Sequence, residues 1–181
     1  PLSRSARANE LDRPLDVVFG LTDGYPEANA RHYAFMLQGL DATRKALAAR
    51  GVGFELHRGD PARVAAEAAR GAALVVADRG YMPVQVRWRS HLAREARVRV
   101  EEVEGDVVVP VAVASDKEEF AARTIRPRIH RQWRRFLVPL RTVELRRRAR
   151  SGGRGGGEAW RDAEDLLARL TVDRSVPAVD G

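Results

Sequence analysis

The stretch from Leu15 to His57 decides the fold, and its sequence is LDVVFGLTDGYPEANARHYAFMLQGLDATRKALAARGVGFELH. Its first seven residues are β-branched or apolar at most positions, which predicts a buried strand over 15–21. Apolar residues near a 3.6-residue period predict a helix over 27–50 that Gly51 ends. The positions that carry this period are Phe35, Met36, Leu40 and Leu47. A second strand is predicted at 54–57, so the stretch forms one strand–helix–strand unit.

The same alternation continues downstream. Asp60 followed by Pro61 has the residue types of an N-cap and a first helical position. Apolar runs and helical spacing predict a helix over 61–70 closed by a glycine, a strand over 73–77, a helix over 84–96 and a strand over 98–103. This βαβαβαβ order with short connections predicts an α/β fold with a Rossmann-like, doubly wound and mostly parallel sheet.

The next segment predicts a fifth strand and a capped helix. Residues 107–113 are apolar and β-branched, and Pro110 suits a strand at or near a sheet edge. Ser115 and Glu118 have the spacing of a capping box, so a helix is expected to begin there. Pro127 is expected to end or kink that helix, because its ring removes one backbone hydrogen bond.

Positive charge is concentrated in one region. The chain has a net charge of +7, and the region from Arg123 to Arg150 holds eleven arginines against the single acid Glu144, so the remainder is net acidic. A helical pattern also runs through Ile129, Trp133, Phe136 and Leu137. The favoured interpretation is an amphipathic helix on the sheet with a solvated cationic side, and the alternative is weak, nonspecific binding of nucleic acid by Arg123–Arg150.

Several classes of function lose support from composition and spacing. The chain has no cysteine, which excludes thiol catalysis and zinc–thiolate sites, and no apolar run approaches the ~20 residues of a membrane span. Glycine-rich phosphate-binding motifs are absent, and the four histidines lack the spacing of metal ligands. We expect no catalytic residue, no metal site, no membrane partner and a cytoplasmic monomer.

Loops after the predicted strands pair an acid with a glycine. In doubly wound sheets, ligands bind beyond the carboxyl ends of the strands. Such loops suit hydrogen bonding to a ribose or a polar heterocycle. Asp, Gly and Pro are also common in loops because they cap helices and accept unusual dihedral angles, so a purely structural role is the competing interpretation for each loop. The four loops are 22–25, 58–60, 78–81 and 104–106.

Four strings carry a resemblance to a known family. They are GLTDGYPEANARHYAFMLQGL, ALVVADRGYMPVQVRWR, VEGDVVVPVAVASDKEEFAARTIRPRI and the closing DRSVP. In this order they resemble the amino-terminal half of class II deoxyribodipyrimidine photolyases, over nearly the whole chain. That family repairs cyclobutane pyrimidine dimers in DNA with light, using a reduced flavin in a carboxy-terminal helical domain.

The resemblance implies a light-harvesting role for this part of the enzyme. The family's amino-terminal α/β domain houses an antenna pigment, either a deazaflavin or a folate. The residues implied to lie around such a pigment are Thr22, Asp23, Asp78, Arg79, Tyr81 and Asp106. FAD is expected only in the carboxy-terminal domain, which this chain does not contain. DNA is the expected partner of the full-length enzyme, and the chain alone is expected to be inactive.

The resemblance also implies a domain organisation. Residues 1–137 are expected to form the photolyase-type α/β domain, without the family's first, central strand. Residues 138–162 are expected to be a basic and then glycine-rich linker, and 163–181 a short helix and the start of a connector, so that the tail is helical or disordered. The chain thus looks like a fragment. The alternative function is a stand-alone α/β module that binds a nucleotide-like ligand or nucleic acid.

Overall fold

The computed structural model describes residues 4–139, 142–149, 157 and 162–177. Helices and strands alternate along most of this range, as the sequence predicts. The elements are α1 (Arg4–Glu10), β1 (Asp16–Leu21), α2 (Ala30–Ala49), β2 (Gly53–Arg58), α3 (Pro61–Ala68), β3 (Val75–Asp78), α4 (Pro83–Glu95), β4 (Val100–Val103), α5 (Val111–Ala114), α6 (Ala122–Phe136) and α7 (Ala163–Ala168). Within the described ranges, no helix is both long and apolar enough to cross a membrane.

The strands form two parallel pairs. β1 pairs with β2 in a register that sets Asp16 opposite Gly53, and β3 pairs with β4 with Val75 opposite Val100. Each pair is a two-stranded sheet, and among the described residues no strand joins β1 to β3. The mixed α/β fold with parallel strands is therefore confirmed. Its strands lie in two separate pairs, β1–β2 and β3–β4.

Helices cover both faces of the β1–β2 pair. On one face, Leu21 and Leu56 pack with Leu37 of α2 and with Leu166 of α7 in the main apolar cluster. On the other face lies α3, because a Cβ built on Gly20 would lie only 2.6 Å from the Cα atom of Pro61. The absence of a side chain at Gly20 lets α3 approach the strand this closely.

Side-chain caps begin α2 and α3. Asp60 accepts a hydrogen bond from the backbone N–H of Arg63 at 3.0 Å, which confirms the predicted cap of α3. At α2, Asn29 is the N-cap, and its own N–H donates to Nδ1 of His32 at 3.1 Å. His32 is therefore used in a capping box, with the imidazole in the place that Glu or Gln usually takes.

The strand and helix cap predicted after β4 are wrong. Residues 107–113 form no strand. Instead, Pro110 precedes the short helix α5, and Oε1 of Glu104 accepts the N–H of Val111 at 3.1 Å. Ser115 ends α5 and hydrogen-bonds to Glu119 at 2.9 Å, so it begins no helix. The β-branched composition was outweighed by a proline that can donate no ladder hydrogen bond and by a carboxylate that holds the first turn.

Helix α6 differs from its prediction in two respects. It runs from Ala122 to Phe136 with Pro127 inside it, so the proline does not end the helix, and the predicted kink at Pro127 stays a prediction. None of its residues is buried, although the pattern predicts packing against a sheet. Trp133 is 38% exposed, and the neighbouring Phe120 is 92% exposed. The helix therefore presents both its arginines and much of its apolar side to the surface.

Described parts of the predicted linker and tail lie against the α/β core. Arg147 forms a two-pronged ion pair with Asp12, through contacts of 2.8 and 2.6 Å, and the N–H of Ala149 donates to the carbonyl of Gly51. Leu166 of α7 is 1% exposed and belongs to the main apolar cluster. The helix predicted after residue 162 is present, and it completes the core. The glycine-rich residues 151–156 lie outside the described ranges, and the domain boundaries at 137 and 162 stay predictions.

Candidate functional site

A cavity of about 650 Å³ lies beside β1. Its walls come from β1 and the loop after it, from the first turns of α2, and from α3 and α4. Most of the lining is apolar or aromatic, which is typical of sites for flat organic ligands. The lining residues are Val18, Phe19, Gly20, Leu21, Thr22, Tyr25, Pro26, Glu27, Ala28, His32, Tyr33, Met36, Pro61 and Trp88.

The cavity follows one edge of β1. Phe19 and Leu21 point to the face covered by α2, whereas Val18 and Gly20 belong to the face covered by α3. All four residues line the same cavity. A space that is bounded by both faces of one strand must lie along the edge of that strand. Since β2 occupies one edge, the cavity lies along the other.

Aromatic side chains gather where β1 ends. The rings of Tyr25 and Trp88 are 6.0 Å apart between centroids and tilted by 50°, and the hydroxyl of Tyr25 lies 3.2 Å from the sulfur of Met82. The hydroxyl of Tyr33 donates to the backbone carbonyl of Thr22 at 2.7 Å, and burial raises the pKa of this phenol. These contacts connect the loop after β1 with the loop after β3.

Of the residues predicted to surround a pigment, Thr22 lines the cavity. Its hydroxyl accepts the N–H of Gly24 at 3.2 Å, which shapes the loop. Asp23 is exposed and accepts the N–H of Thr171 at 3.3 Å. Asp23 therefore holds the segment after α7 against the loop after β1.

The other predicted residues gather at the ends of β3 and β4, where they already have partners. Asp78 forms an ion pair with Arg4. Arg79 lies 3.6 Å from a carboxylate oxygen of Glu102, and its guanidinium lies 5.8 Å from the centre of the Tyr81 ring. These contacts leave the charged groups of this cluster less available to a ligand than the sequence suggests.

A hydrogen bond from Tyr81 to Glu104 organises the same cluster. Desolvation is the main cause that raises the pKa of the Tyr81 phenol, and the bond to Glu104 raises it further. The same bond is the main cause that lowers the pKa of Glu104. Asp106 is exposed in the turn after β4, and a Cβ built on Gly105 would lie 3.3 Å from Oδ1 of Asp78. The sequence thus predicts the grouping of 78–81 with 104–106, but the structure places this group outside the cavity lining.

Sequence reasoning missed most of the cavity. Tyr25, His32 and Met36 line it, and so does Trp88, which lies in the helix predicted over 84–96. The sequence does contain a signal for the cavity, because aromatic residues are concentrated within two helical turns of the ends of β1 and β3. In the ranges described, no group of three or more His, Asp or Glu side chains could hold a metal ion.

Known proteins match this chain over most of its length. The family model described as DNA photolyase matches residues 3–144. The deoxyribodipyrimidine photo-lyase of Methanothermobacter thermautotrophicus is 45% identical over 139 residues, covering 77% of this chain and 31% of that protein. The enzyme of the same name from Potorous tridactylus is 34% identical over 134 residues, covering 72% of this chain and 25% of its own length. The chain thus spans about a third or less of these relatives.

A solved structure shows the same fold. The chain superposes on an archaeal photolyase from Sulfolobus tokodaii with a TM-score of 0.60, at 13% identity, over 91% of this chain and 37% of that one. The likeness agrees with the two parallel strand pairs and their flanking helices. Since the family model also covers most of the sequence, the chain belongs to the DNA photolyase family.

Proposed function

We propose that this chain is the amino-terminal antenna and structural domain of a class II deoxyribodipyrimidine photolyase, an enzyme of light-driven repair of pyrimidine dimers in DNA. The observation that carries the proposal is 45% identity over 139 residues to an enzyme named for this reaction. The class is supported by the strings in 20–40, 73–89 and 103–129 that resemble class II enzymes.

In this proposal, the reaction itself belongs to the rest of the enzyme. The chain spans 31% of the Methanothermobacter relative, and we assign no catalytic residue to it. An exposed apolar side on α6 supports an interface with another domain, because soluble monomers seldom leave such clusters uncovered. Trp133 of α6 is exposed, and so are the residues that flank the helix, Phe120, Leu137 and Val138. FAD for the reaction would bind beyond this chain.

The pigment would bind at the carboxyl end of β1. A flat heterocycle fits the aromatic end of the cavity, where Tyr25 and Trp88 supply ring surfaces and Thr22 supplies a hydroxyl and a backbone carbonyl. Of the six residues implied by the resemblance, Thr22 best fits this placement. When bound, such a pigment absorbs light and passes the excitation energy to the flavin. The protein's part is to hold the ring, orient it and exclude water.

A pigment titration tests this placement. The Sulfolobus tokodaii photolyase structure contains two FAD molecules, with the implication of a novel light-harvesting cofactor, so FAD joins deazaflavin and folate as a ligand to test. We expect at least one of the three to bind the purified full chain, with a shift in its visible or near-ultraviolet absorbance. Replacing Trp88 by leucine should weaken that binding about fivefold to tenfold, because it removes a stacking surface.

The matched control is Trp133→Leu, since Trp133 lies on α6 and does not line the cavity. The Trp133→Leu variant should bind the pigment with the same affinity as the parent chain. If none of the three ligands binds the chain with a shift in its absorbance, the antenna role is refuted. Equal weakening by the two substitutions would instead show that the pigment is not held at Trp88.

A second candidate function is nonspecific binding of nucleic acid. Five arginines of α6 are exposed: Arg123, Arg126, Arg131, Arg134 and Arg135. Arg128 is partly neutralised by Glu119, 2.8 Å away, and Arg147 is paired with Asp12. The five exposed arginines of α6 are therefore the proposed centre of the cationic surface, and Arg146 and Arg148 are exposed as well.

Salt dependence tests this surface. If the five exposed arginines of α6 contact phosphates, the logarithm of the DNA affinity should fall with the logarithm of salt concentration with a slope of about −4 to −5. The double variant Arg134→Gln/Arg135→Gln should reduce this slope by about 2. A control is Arg63→Gln/Arg70→Gln, which removes two exposed arginines of the α3 segment. Fluorescence anisotropy of a labelled duplex measures the DNA affinity of the parent chain and of each variant. An affinity that is insensitive to salt would contradict the assignment.

A further inference from the structure

A second, smaller cavity of about 180 Å³ lies between helices α5 and α6, and we call it the α5–α6 pocket. Its walls are Val113 and Ala114 of α5 and Arg128, Arg131 and Gln132 of α6. It shares no residue with the cavity beside β1. Sites for drug-sized molecules usually have volumes of roughly 300–1,000 Å³, so the α5–α6 pocket suits one small chemical group.

The polar wall of the α5–α6 pocket carries hydrogen-bond donors and positive charge. Arg128, Arg131 and Gln132 are spaced i, i+3 and i+4 in α6, so their side chains lie beside one another on one face of the helix. The two guanidinium groups only donate hydrogen bonds, and the side-chain amide of Gln132 adds further donors. None of the five lining residues is acidic. The chemistry of this wall therefore favours an anion.

Both guanidinium groups are held in place through their Nε atoms. Nε of Arg128 lies 2.8 Å from Oε1 of Glu119, and Nε of Arg131 donates to the backbone carbonyl of Pro127 at 3.4 Å. In the described part of the chain, the terminal nitrogens of Arg128 and Arg131 have no hydrogen-bond acceptor. These nitrogens are consequently available to a ligand, on guanidinium groups that the protein already orients.

Glu119 positions Arg128 without lining the pocket. The Glu119 side chain is only 8% exposed, and its Oε1 accepts a hydrogen bond from the hydroxyl of Ser115 at 2.9 Å. Hydrogen bonds from the side chains of Thr124 and Ser115 lower the pKa of Glu119. The carboxylate therefore stays charged at neutral pH and holds Arg128 by its Nε atom.

We propose that the α5–α6 pocket is a binding site for one phosphate group. The terminal nitrogens of Arg128 and Arg131 and the side-chain amide of Gln132 would donate to its oxygens. Guanidinium groups match phosphate because their planar fork forms two parallel, charge-assisted hydrogen bonds. The phosphate group belongs either to a free phosphate compound or to the backbone of a nucleic acid, and both present the same oxygens to the pocket.

A titration of the full chain with inorganic phosphate tests the proposal. At constant ionic strength, ¹⁵N NMR of the arginine Nε–H groups and of the glutamine side-chain amide should show saturable shifts at Arg128, Arg131 and Gln132. The dissociation constant should be about 1 mM, because only a few charge-assisted hydrogen bonds form. Arg134 and Arg135 lie on the same helix but do not line the pocket, so their signals should show no saturation. Without saturable shifts at the three lining residues, the proposal is overturned.

Two variants of equal charge separate the pocket from the general charge of α6. Arg131→Gln should weaken phosphate binding about fivefold or more, because it removes one of the two guanidinium groups. Arg135→Gln is the matched control, since Arg135 is also exposed and lies outside the pocket lining. Arg131→Lys keeps the charge but loses the planar fork, so it should still weaken binding about threefold. Equal weakening by Arg131→Gln and Arg135→Gln would refute the pocket.

Dimethyl phosphate distinguishes the two sources of the phosphate group, because it is a phosphodiester without a sugar or base. For a nucleic-acid phosphate, dimethyl phosphate should shift the signals of the same three residues, and Arg131→Gln should reduce the salt slope of DNA binding by about 1. For a free phosphate compound, inorganic phosphate alone should shift them. Either result supports the phosphate site and identifies its source.

The phosphate site goes beyond the pigment role and can fail separately from DNA binding by the surface of α6. Pigment binding is read from absorbance, whereas phosphate binding is read from side-chain NMR signals. The variant Arg134→Gln/Arg135→Gln tests the cationic surface and leaves the pocket lining unchanged. A chain that binds DNA with the expected salt slope but shows no saturable phosphate shifts would refute the pocket alone.

Discussion

The Leu37→Ala variant is expected to lose about 3–4 kcal/mol of unfolding free energy, because it leaves a cavity in the main apolar cluster. Leu37 is 0% exposed and packs among Leu21, Leu56 and Leu166, which come from two strands and from α7. Other contacts fix these elements relative to one another. They can therefore move only part of the way into the space that the leucine side chain leaves. Urea unfolding followed by circular dichroism measures the change from the shift in midpoint.

The matched control lies two residues away on the same helix. Phe35 is 81% exposed, and Phe35→Ala should change the unfolding free energy by less than about 0.5 kcal/mol, as is usual for surface substitutions. A similar loss for the two variants would mean that the assigned face of α2 is wrong. A loss below about 1 kcal/mol at Leu37 would mean that the cluster is not packed as described.

Alanine substitutions at two glycines are expected to change the free energy of unfolding in opposite directions. At Gly20, a Cβ would lie 2.6 Å from the backbone Cα of Pro61, so Gly20→Ala must push α3 away from β1 and should cost about 1–3 kcal/mol. At Gly39, inside α2, a Cβ would meet nothing within 4 Å. Gly39→Ala should therefore stabilise the protein by about 0.5–1 kcal/mol, because alanine loses less conformational entropy in a helix.

Thermal or urea unfolding of the two single variants measures this difference in sign. Each variant serves as the control of the other, since both add one methyl group to a glycine. If Gly20→Ala were neutral, α3 would have to sit farther from β1 than the structure places it. A destabilising Gly39→Ala would mean that this part of α2 is not a regular, exposed helix.

Local signals predict the first half of the chain well. The strand–helix–strand unit at 15–57, the cap at Asp60 and the helix end at Gly51, which has a φ of 74°, are confirmed. Each depends on residues close in sequence. The strand expected at 107–113 fails although the decisive contact is also local: Glu104, seven residues before Val111, accepts its N–H, and this contact could not be read from the β-branched composition of the segment.

The site is harder to derive than the fold. Thr22 lines the cavity, while its role as a pigment-binding residue stays a prediction, and the strand-end rule gives equal weight to Asp78 and Arg79. The partners of those two, Arg4 and Glu102, come from other parts of the chain and engage their charges. The 3.6-residue period places Phe35 among the apolar positions of α2, yet Phe35 is 81% exposed, whereas Tyr33 is buried. Helical spacing alone could not say which of these aromatic rings meets the core.

Helix α7 has a consequence for how this protein is made. Leu166 and Leu170 reach the cluster around Leu37 from the far end of the chain, and the carbonyl of Asp173 accepts the N–H of Ala30 at 2.7 Å. While the ribosome has released only the residues up to α6, the face of α2 that bears Leu37 has no cover from α7. Contacts of such high sequence separation slow folding and prolong the exposure of apolar surface. The nascent chain must therefore wait for its last described helix before the core can close, and over that interval it is open to chaperones and to aggregation.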